Sequence, residues 1–243
     1  MYCKLCTGEF EKLAESHILA KGFFRSLYPP NDDRALLSSN GKNRPKRIRI
    51  GYYDDKILCI ECDKKLGKYD EYGIKTFLRK DVISFPDSDE AYLIKNVNYS
   101  KLKIFLMSLL YRASITSMQE FSLINLGEYY EEKLRNMIIT DDPCEFNDFP
   151  FFISKFETNQ LPQNIANKTL MSPYRTKIDN INFSIFRIPN GYQAYIKVDK
   201  RPLDNLFSQL SMKEDGNLII IRRQNFESSK EFDAMCNVIK KQN

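Results

Sequence analysis

Residues 57–72 read ILCIECDKKLGKYDEY, and residues 1–24 read MYCKLCTGEFEKLAESHILAKGFF. Each stretch contains one Cys-x-x-Cys pair, and the four cysteines are Cys3, Cys6, Cys59 and Cys62. Structural zinc takes four ligands in a tetrahedron, and a Cys-x-x-Cys turn directs two thiolates at one ion. The doubled pair therefore predicts a closed, structural zinc site that holds two distant segments together. Two redox dithiols or unrelated buried thiols are the alternatives.

The composition is that of a globular protein. Of the 243 residues, 42% are hydrophobic and 28% are charged, which suits one large domain or two small ones. No apolar run approaches the roughly 20 residues that span a bilayer, and the N-terminus lacks the pattern of a secretory signal. We therefore expect a cytoplasmic protein with no membrane segment, whose paired thiols bind metal. The net charge of +5 only weakly favours an anionic partner.

A basic segment lies between the two cysteine pairs. Residues 41–53, GKNRPKRIRIGYY, contain five cations and no acid. The cations are Lys42, Arg44, Lys46, Arg47 and Arg49. Clustered Lys and Arg displace counterions from a nucleic-acid backbone, so the basic segment is predicted to contact phosphates. A solvated loop or hairpin tip is the other interpretation.

Hydrophobic periodicity predicts an α+β protein with two units. Residues 84–91, SFPDSDEA, are polar, contain a proline and are typical of a linker. We therefore predict a zinc-binding domain over residues 1–83 and an accessory or regulatory α+β domain over residues 92–243, with helices first and an antiparallel sheet after them. The predicted elements of the second domain are helices over about 99–140, strands over about 148–223 and a closing helix over about 228–241.

One histidine and two acids are predicted to share a cleft. His17 is the single histidine of the chain, and Asp63 follows the last cysteine. If a helix starts near Asp63, Asp70 lies two turns further on the same inward-facing stripe. Carboxylate oxygens there suit Mg²⁺ or Mn²⁺, and a neutral imidazole nearby can take a proton from water. Together with the basic segment, this set is typical of metal-assisted phosphodiester hydrolysis.

Each of these residues also has a simpler interpretation. Asp63 could cap the helix, and Asp70 could pair with Lys75 or Lys21. His17 could be a core residue, or it could replace a cysteine as a zinc ligand. A zinc-stabilised nucleic-acid-binding or adaptor protein without catalysis is therefore the alternative to an enzyme, and an RNA nuclease is the alternative to a DNA nuclease.

The segments CKLC, ESHILAKGF and ILCIECDKKLGKYDEY together resemble the HNH, or ββα-metal, endonucleases with a four-cysteine zinc knuckle. The resemblance extends over about the first 140 residues and is closest to a bacterial group with a Ser-His-Ile-x-x-Lys segment. It implies an N-terminal core in which a β-hairpin and a helix clasp one divalent ion. It also implies that the protein hydrolyses DNA with Mg²⁺ or Mn²⁺, and that His17 is the general base.

The resemblance further implies a set of metal ligands. These are Asp63, Asp70, Asp54 and Asp55, of which Asp63 stands directly after the last cysteine. The chain departs from the family at Ser16, where many members have an acid or a histidine as a ligand. Nucleases of this kind are often bacterial anti-phage effectors or toxins, which implies a protein partner, a regulator or a second copy of the chain for the C-terminal region.

Overall fold

The N-terminal region combines two short paired strands with a long helix. In this computed structural model, strand β1 (Ser16–His17) pairs antiparallel with strand β4 (Tyr53–Asp54). Helix α1 (Lys21–Leu27) follows β1, and helix α2 (Ile60–Arg79) follows β4. The structure describes residues 1–27, 51–85, 88–158, 160–167, 170–230, 232–233 and 236–237, together with the backbone of residues 35–37 and 46–48.

Most of the predicted basic segment lies outside the described residues. Strand β2 (Ala35–Leu37) pairs antiparallel with strand β3 (Lys46–Ile48). Lys42, Arg44 and Arg49 lie outside the described part, as do the side chains of Lys46 and Arg47. Contact between the basic segment and phosphates therefore stays a prediction.

Two helices follow at the positions where the apolar spacing predicts them. Helix α3 (Tyr99–Ile115) is buried along nearly its whole length and packs against α2 and against helix α4 (Glu128–Thr140). The Asn98 side chain caps α3 by accepting from the backbone N–H of Lys101 at 2.8 Å. Helix α4 begins after Gly127, whose φ of 79° only glycine adopts readily.

The described chain also forms a seven-stranded sheet. The sequence predicts an antiparallel sheet, but the observed sheet is mixed. The strand order is β5-β6-β11-β7-β10-β9-β8. The strands are β5 (Ile83–Phe85), β6 (Ser88–Ile94), β7 (Phe151–Phe156), β8 (Tyr174–Ile178), β9 (Ile181–Arg187), β10 (Tyr192–Lys197) and β11 (Leu218–Arg223). β11 runs parallel to β7, whereas the other neighbours are antiparallel.

Strands β5 and β6, which overlap the predicted linker of residues 84–91, pair antiparallel at one edge of this sheet. The main core is continuous from Leu5 near the N-terminus to Ile220 in β11, so the predicted boundary does not separate two cores. A smaller cluster on the other face of the sheet contains Phe152 and Phe207, the latter from helix α6 (Asn205–Leu210).

The remaining elements are short. Helix α5 (Gln163–Asn167) precedes β8, and a 3₁₀ turn (Phe226–Ser228) follows β11. The predicted closing helix is helical at residues 230, 232–233 and 236–237, and its other residues after 230 lie outside the described part. Among the helices that the structure describes, none is both long and apolar enough to cross a membrane.

Candidate metal centre and adjoining cleft

Four thiols meet where the N-terminal segment touches the start of α2. The Sγ atoms of Cys3, Cys6, Cys59 and Cys62 all lie within 4.8 Å of one another. The Sγ atoms of Cys6 and Cys59 are 3.9 Å apart, close to the roughly 3.8 Å expected for two ligands of a tetrahedral site with Zn–S bonds of about 2.3 Å. The predicted cluster is therefore present, and it can hold a metal ion such as zinc.

Backbone N–H groups near the cluster favour the thiolate form of Cys3. Burial opposes ionisation of Cys3, but N–H groups of Cys6, Cys59 and Leu5 outweigh it and lower its pKa to about 7. Burial raises the pKa of Cys6 and of Cys62. Four adjacent thiols cannot all ionise without compensation, and a bound divalent cation provides that compensation. The donor set thus fits a soft divalent metal rather than a catalytic dithiol.

The two unpaired cysteines of the sequence lie elsewhere. Cys144 and Cys236 are both half-buried, and Cys144 packs against the main core. None of the cysteines forms a disulfide within the described chain.

The thiol cluster adjoins the start of α2, where Asp63 lies. Cys59 is the N-cap residue of α2, and its carbonyl accepts from the N–H of Asp63 at 2.9 Å. The Asp63 carboxylate accepts from the hydroxyl of Ser16 at 2.7 Å, and Ser16 is completely buried in β1. Strand β1 and helix α2 are thus joined one residue before His17.

A cleft of about 720 Å³ opens between α1 and α2, beside this junction. His17, Asp63 and Asp70 all contribute to its wall, so the three predicted residues face one space. The His17 ring is half-buried, with Nε2 below the accessible surface, and its centroid is 6.1 Å from that of Tyr53.

Arg112 in α3 closes the base of the cleft, and sequence reasoning did not predict it. The guanidinium binds both oxygens of the Asp70 carboxylate, at 2.9 Å and 2.6 Å. It also donates to the main-chain carbonyl of His17 at 2.7 Å. The Arg112 side chain is 1% exposed and that of Asp70 is 14% exposed. The partner of Asp70 is therefore a buried arginine, and neither Lys75 nor Lys21.

Asp54 and Asp55 do not belong to the group that lines this cleft. Asp54 is buried, and its two oxygens accept from the N–H of Lys56 at 2.9 Å and from the hydroxyl of Thr116 at 2.6 Å. These bonds fix the turn after β4, so the carboxylate has a structural task. Asp55 is exposed.

The cleft has a cationic rim. Lys21 and Arg25 on α1, and Lys75 and Arg79 on α2, line its walls and are exposed. None of the four forms an ion pair with another residue in the described ranges. Such cations can hold phosphate oxygens, because none of them is neutralised by an ion pair within the described ranges.

The predicted Mg²⁺ ligands do not form a compact site. Within the described ranges, the thiol cluster is the one group of three or more His, Cys, Asp or Glu ligand atoms that lie close enough to share an ion. The cleft therefore offers at most a partial set of ligands from the protein. Comparison with protein-family models, with curated proteins and with solved structures finds no match.

Proposed function

We propose that this protein is a metal-dependent endonuclease of the HNH type that hydrolyses phosphodiester bonds in DNA. The observation that carries the proposal is the shared cleft, where His17 and Asp63 face one space that has a cationic rim. The thiol cluster at the start of α2 supports it, because a tetrathiolate zinc site would hold this arrangement in place.

His17 is the proposed general base. A neutral imidazole can accept a proton from the attacking water. Arg112 acts as a positioning residue, since it holds the main chain of His17 and the carboxylate of Asp70 at the same time. Lys21, Arg25, Lys75 and Arg79 would orient the phosphate backbone over the cleft.

Asp63 is the residue proposed to hold Mg²⁺ or Mn²⁺. Magnesium sites commonly use one or two carboxylates and complete their octahedron with water and substrate phosphate, so the partial set in the cleft fits this ion. The ion, when bound, supplies charge stabilisation for the scissile phosphate and the leaving oxygen. Asp70 instead forms the ion pair with Arg112 that holds α2 against α3.

The test is a plasmid-nicking assay on purified protein with a measured zinc content. We expect supercoiled DNA to be nicked when Mg²⁺ or Mn²⁺ is added and to stay intact when both are omitted. His17→Ala should lower the rate by about 10²–10⁴-fold, the usual contribution of a general base. Zinc content and circular dichroism should be unchanged in the variant. Nicking by His17→Ala at the parental rate would disprove the assignment, and an RNA substrate in parallel decides between the two nucleic acids.

A second candidate is a zinc-stabilised nucleic-acid-binding protein without catalysis. One observation favours it: the three candidate catalytic side chains are each engaged or covered, since Asp63 accepts from Ser16, Asp70 is bound by Arg112, and His17 Nε2 lies below the surface. Binding of DNA that is equally tight with and without Mg²⁺, and no nicking with either ion, would establish this candidate in place of the enzyme.

A further inference from the structure

A second groove of about 760 Å³ lies along the outer face of α2, and we call it the lysine groove. Its cations are Lys64, Lys65, Lys68, Lys75 and Lys101. Its acids are Glu61, Glu71 and Asp141. Two lysines are occupied, because Lys64 pairs with Glu61 and Lys65 pairs with Asp141, both at 3.0 Å.

Three lysines of the groove keep their charge available. Lys68, Lys75 and Lys101 are exposed, and none of them forms an ion pair with the rest of the described chain. The Lys101 ammonium lies 5.9 Å from the centre of the Tyr72 ring, which holds it over the groove without neutralising it. The groove therefore presents a net positive surface.

The lysine groove is continuous with the cleft that contains His17. Lys75 and Glu71 line both spaces, so a ligand that leaves the cleft along α2 passes directly over Lys75. Lys68 and Lys75 are seven residues apart on the helix, which separates them by about 10 Å along its axis.

The aromatic side chains of the groove are not arranged for base stacking. The Tyr69 hydroxyl donates to Asp141 at 2.7 Å, and the Tyr72 hydroxyl accepts from the N–H of Asn98 at 2.6 Å. Lys101 covers the face of Tyr72. Binding of single strands relies on open aromatic faces, whereas binding of a duplex backbone relies on cations alone. The composition of the groove favours the duplex.

We propose that the lysine groove binds the phosphate backbone of duplex DNA that flanks the bond held in the cleft, with Lys68 and Lys101 as two of the contacts. This inference rests on the proposed nuclease function for the identity of the ligand. It adds a binding surface that is distinct from the basic segment of residues 41–53, and it predicts that the DNA crosses α2 at Lys75, which lines both spaces.

The experiment measures the affinity of the His17→Ala protein for duplex DNA across a range of salt concentrations, because this variant leaves the DNA intact. Each lost phosphate contact reduces the slope of log K against log salt by about 0.9 for duplex DNA. The variant Lys68→Gln with Lys101→Gln should therefore reduce the slope by about 1.8. A matched control, Lys177→Gln with Lys213→Gln, removes two exposed lysines that line neither space and should leave the slope unchanged.

Each outcome has a defined meaning. An unchanged slope in the groove variant, or an equal loss in the control, overturns the inference even if the parent protein nicks DNA. A selective loss with no nicking by the parent supports the groove and rejects the nuclease. A loss of affinity for a single strand of the same sequence that equals or exceeds the loss for the duplex overturns the duplex assignment. Circular dichroism of all variants excludes misfolding as the cause.

Discussion

At the scale of single residues, the two side chains of the Arg112–Asp70 ion pair differ in their exposure to solvent. Arg112 is 1% exposed, whereas Asp70 is 14% exposed and faces the cleft. Removal of one partner from a buried ion pair costs about 3–5 kcal/mol, because the other charge is left without compensation. The cost should be larger when the buried partner is the one left behind.

We therefore predict that Asp70→Ala lowers the free energy of unfolding by about 3–5 kcal/mol. Arg112→Met should cost less, since the Asp70 carboxylate can take up water from the cleft. Urea denaturation of both single variants and of the double variant provides the measurement. The double variant should lose less unfolding free energy than the two single variants lose when their losses are added. Equal losses that add without coupling would show that the pair is energetically unimportant.

Lys103 allows a prediction about pH. It is completely buried in α3, where its ammonium donates to the Tyr99 hydroxyl at 3.0 Å and to the Glu145 carbonyl at 2.8 Å. Burial lowers its pKa from 10.5 to about 8, although Asp148 acts in the opposite direction. Between about pH 8 and pH 10.5 the unfolded chain therefore binds more protons at this lysine than the folded chain does.

Because of this difference in proton binding, the contribution of Lys103 to the free energy of unfolding should rise with pH across that range. The variant Lys103→Met supplies the reference, since other titrating groups act equally in both proteins. The difference in the free energy of unfolding, wild type minus variant, should be flat near pH 7 and increase from about pH 8 to pH 10. A difference that stays constant or decreases over this interval would contradict the proposed desolvation.

At the scale of elements, two glycines of α2 form a natural pair for comparison. A Cβ atom on Gly73 would lie 2.5 Å from the ring of Phe105, whereas one on Gly67 would meet no atom within 4 Å. Phe105 is fully buried and packs against Phe23 and Phe77, with ring centroids 6.0 Å and 6.4 Å away, so it has little room to move. At Gly73, α2 therefore leaves no room for a side-chain atom beside Phe105 of α3.

We predict opposite effects of the same substitution at these two sites. Gly67→Ala should stabilise the protein by up to about 1 kcal/mol, the usual gain of alanine over glycine in a helix. Gly73→Ala should destabilise it by about 1–3 kcal/mol, because overpacking at Phe105 exceeds that gain. Thermal or urea denaturation measures both. Stabilisation by both variants would mean that α3 is not held closely against α2.

The elements that could be predicted from the sequence are those with a strong local period. Apolar spacing located α3 correctly, and alternation in residues 192–198 located β10 (Tyr192–Lys197). Residues 84–91 instead have the composition of a linker, because they contain Pro86 and several acids. Strand β6 pairs with β11, which is more than a hundred residues away, so this pairing leaves no local signal. The parallel pairing of β7 with β11 is equally non-local and leaves no periodic signal.

The candidate site divides in the same way. Cysteine spacing predicted the thiol cluster, and helical geometry predicted that Asp63 and Asp70 would line one cleft, because both features are properties of short segments. Arg112 could not be found by this reasoning. An arginine in the last turn of a helix usually complements the helix dipole at the surface, and only the packing of α3 beneath α2 makes this one a buried partner of Asp70.

At the scale of the whole molecule, the loop that carries Cys3 and Cys6 is hydrogen-bonded to both α3 and α4. The hydroxyl of Tyr111 in α3 donates to the Lys4 carbonyl at 2.6 Å, and Arg135 in α4 donates to the Leu5 carbonyl at 3.2 Å. The N–H of Lys4 donates to the Ile57 carbonyl at 2.8 Å. The loop between Cys3 and Cys6 is therefore part of the main core. Loss of a metal bound by these cysteines should destabilise elements well beyond residues 1–83.

We accordingly predict one zinc ion per chain, and loss of that ion in Cys6→Ser and Cys62→Ser but not in Cys144→Ser or Cys236→Ser. Elemental analysis measures the metal, and calorimetry measures unfolding. Since the main core is continuous from Leu5 to Ile220, the metal-free variants should melt at a lower temperature in one transition that involves the whole protein. A separate early transition of the N-terminal region, with the main transition unchanged, would mean that the first 83 residues fold as the independent domain that the sequence alone predicts. In that event the cleft would depend on zinc for its geometry while α3 and the sheet would not, and Arg112 would be the contact at which the two parts come apart.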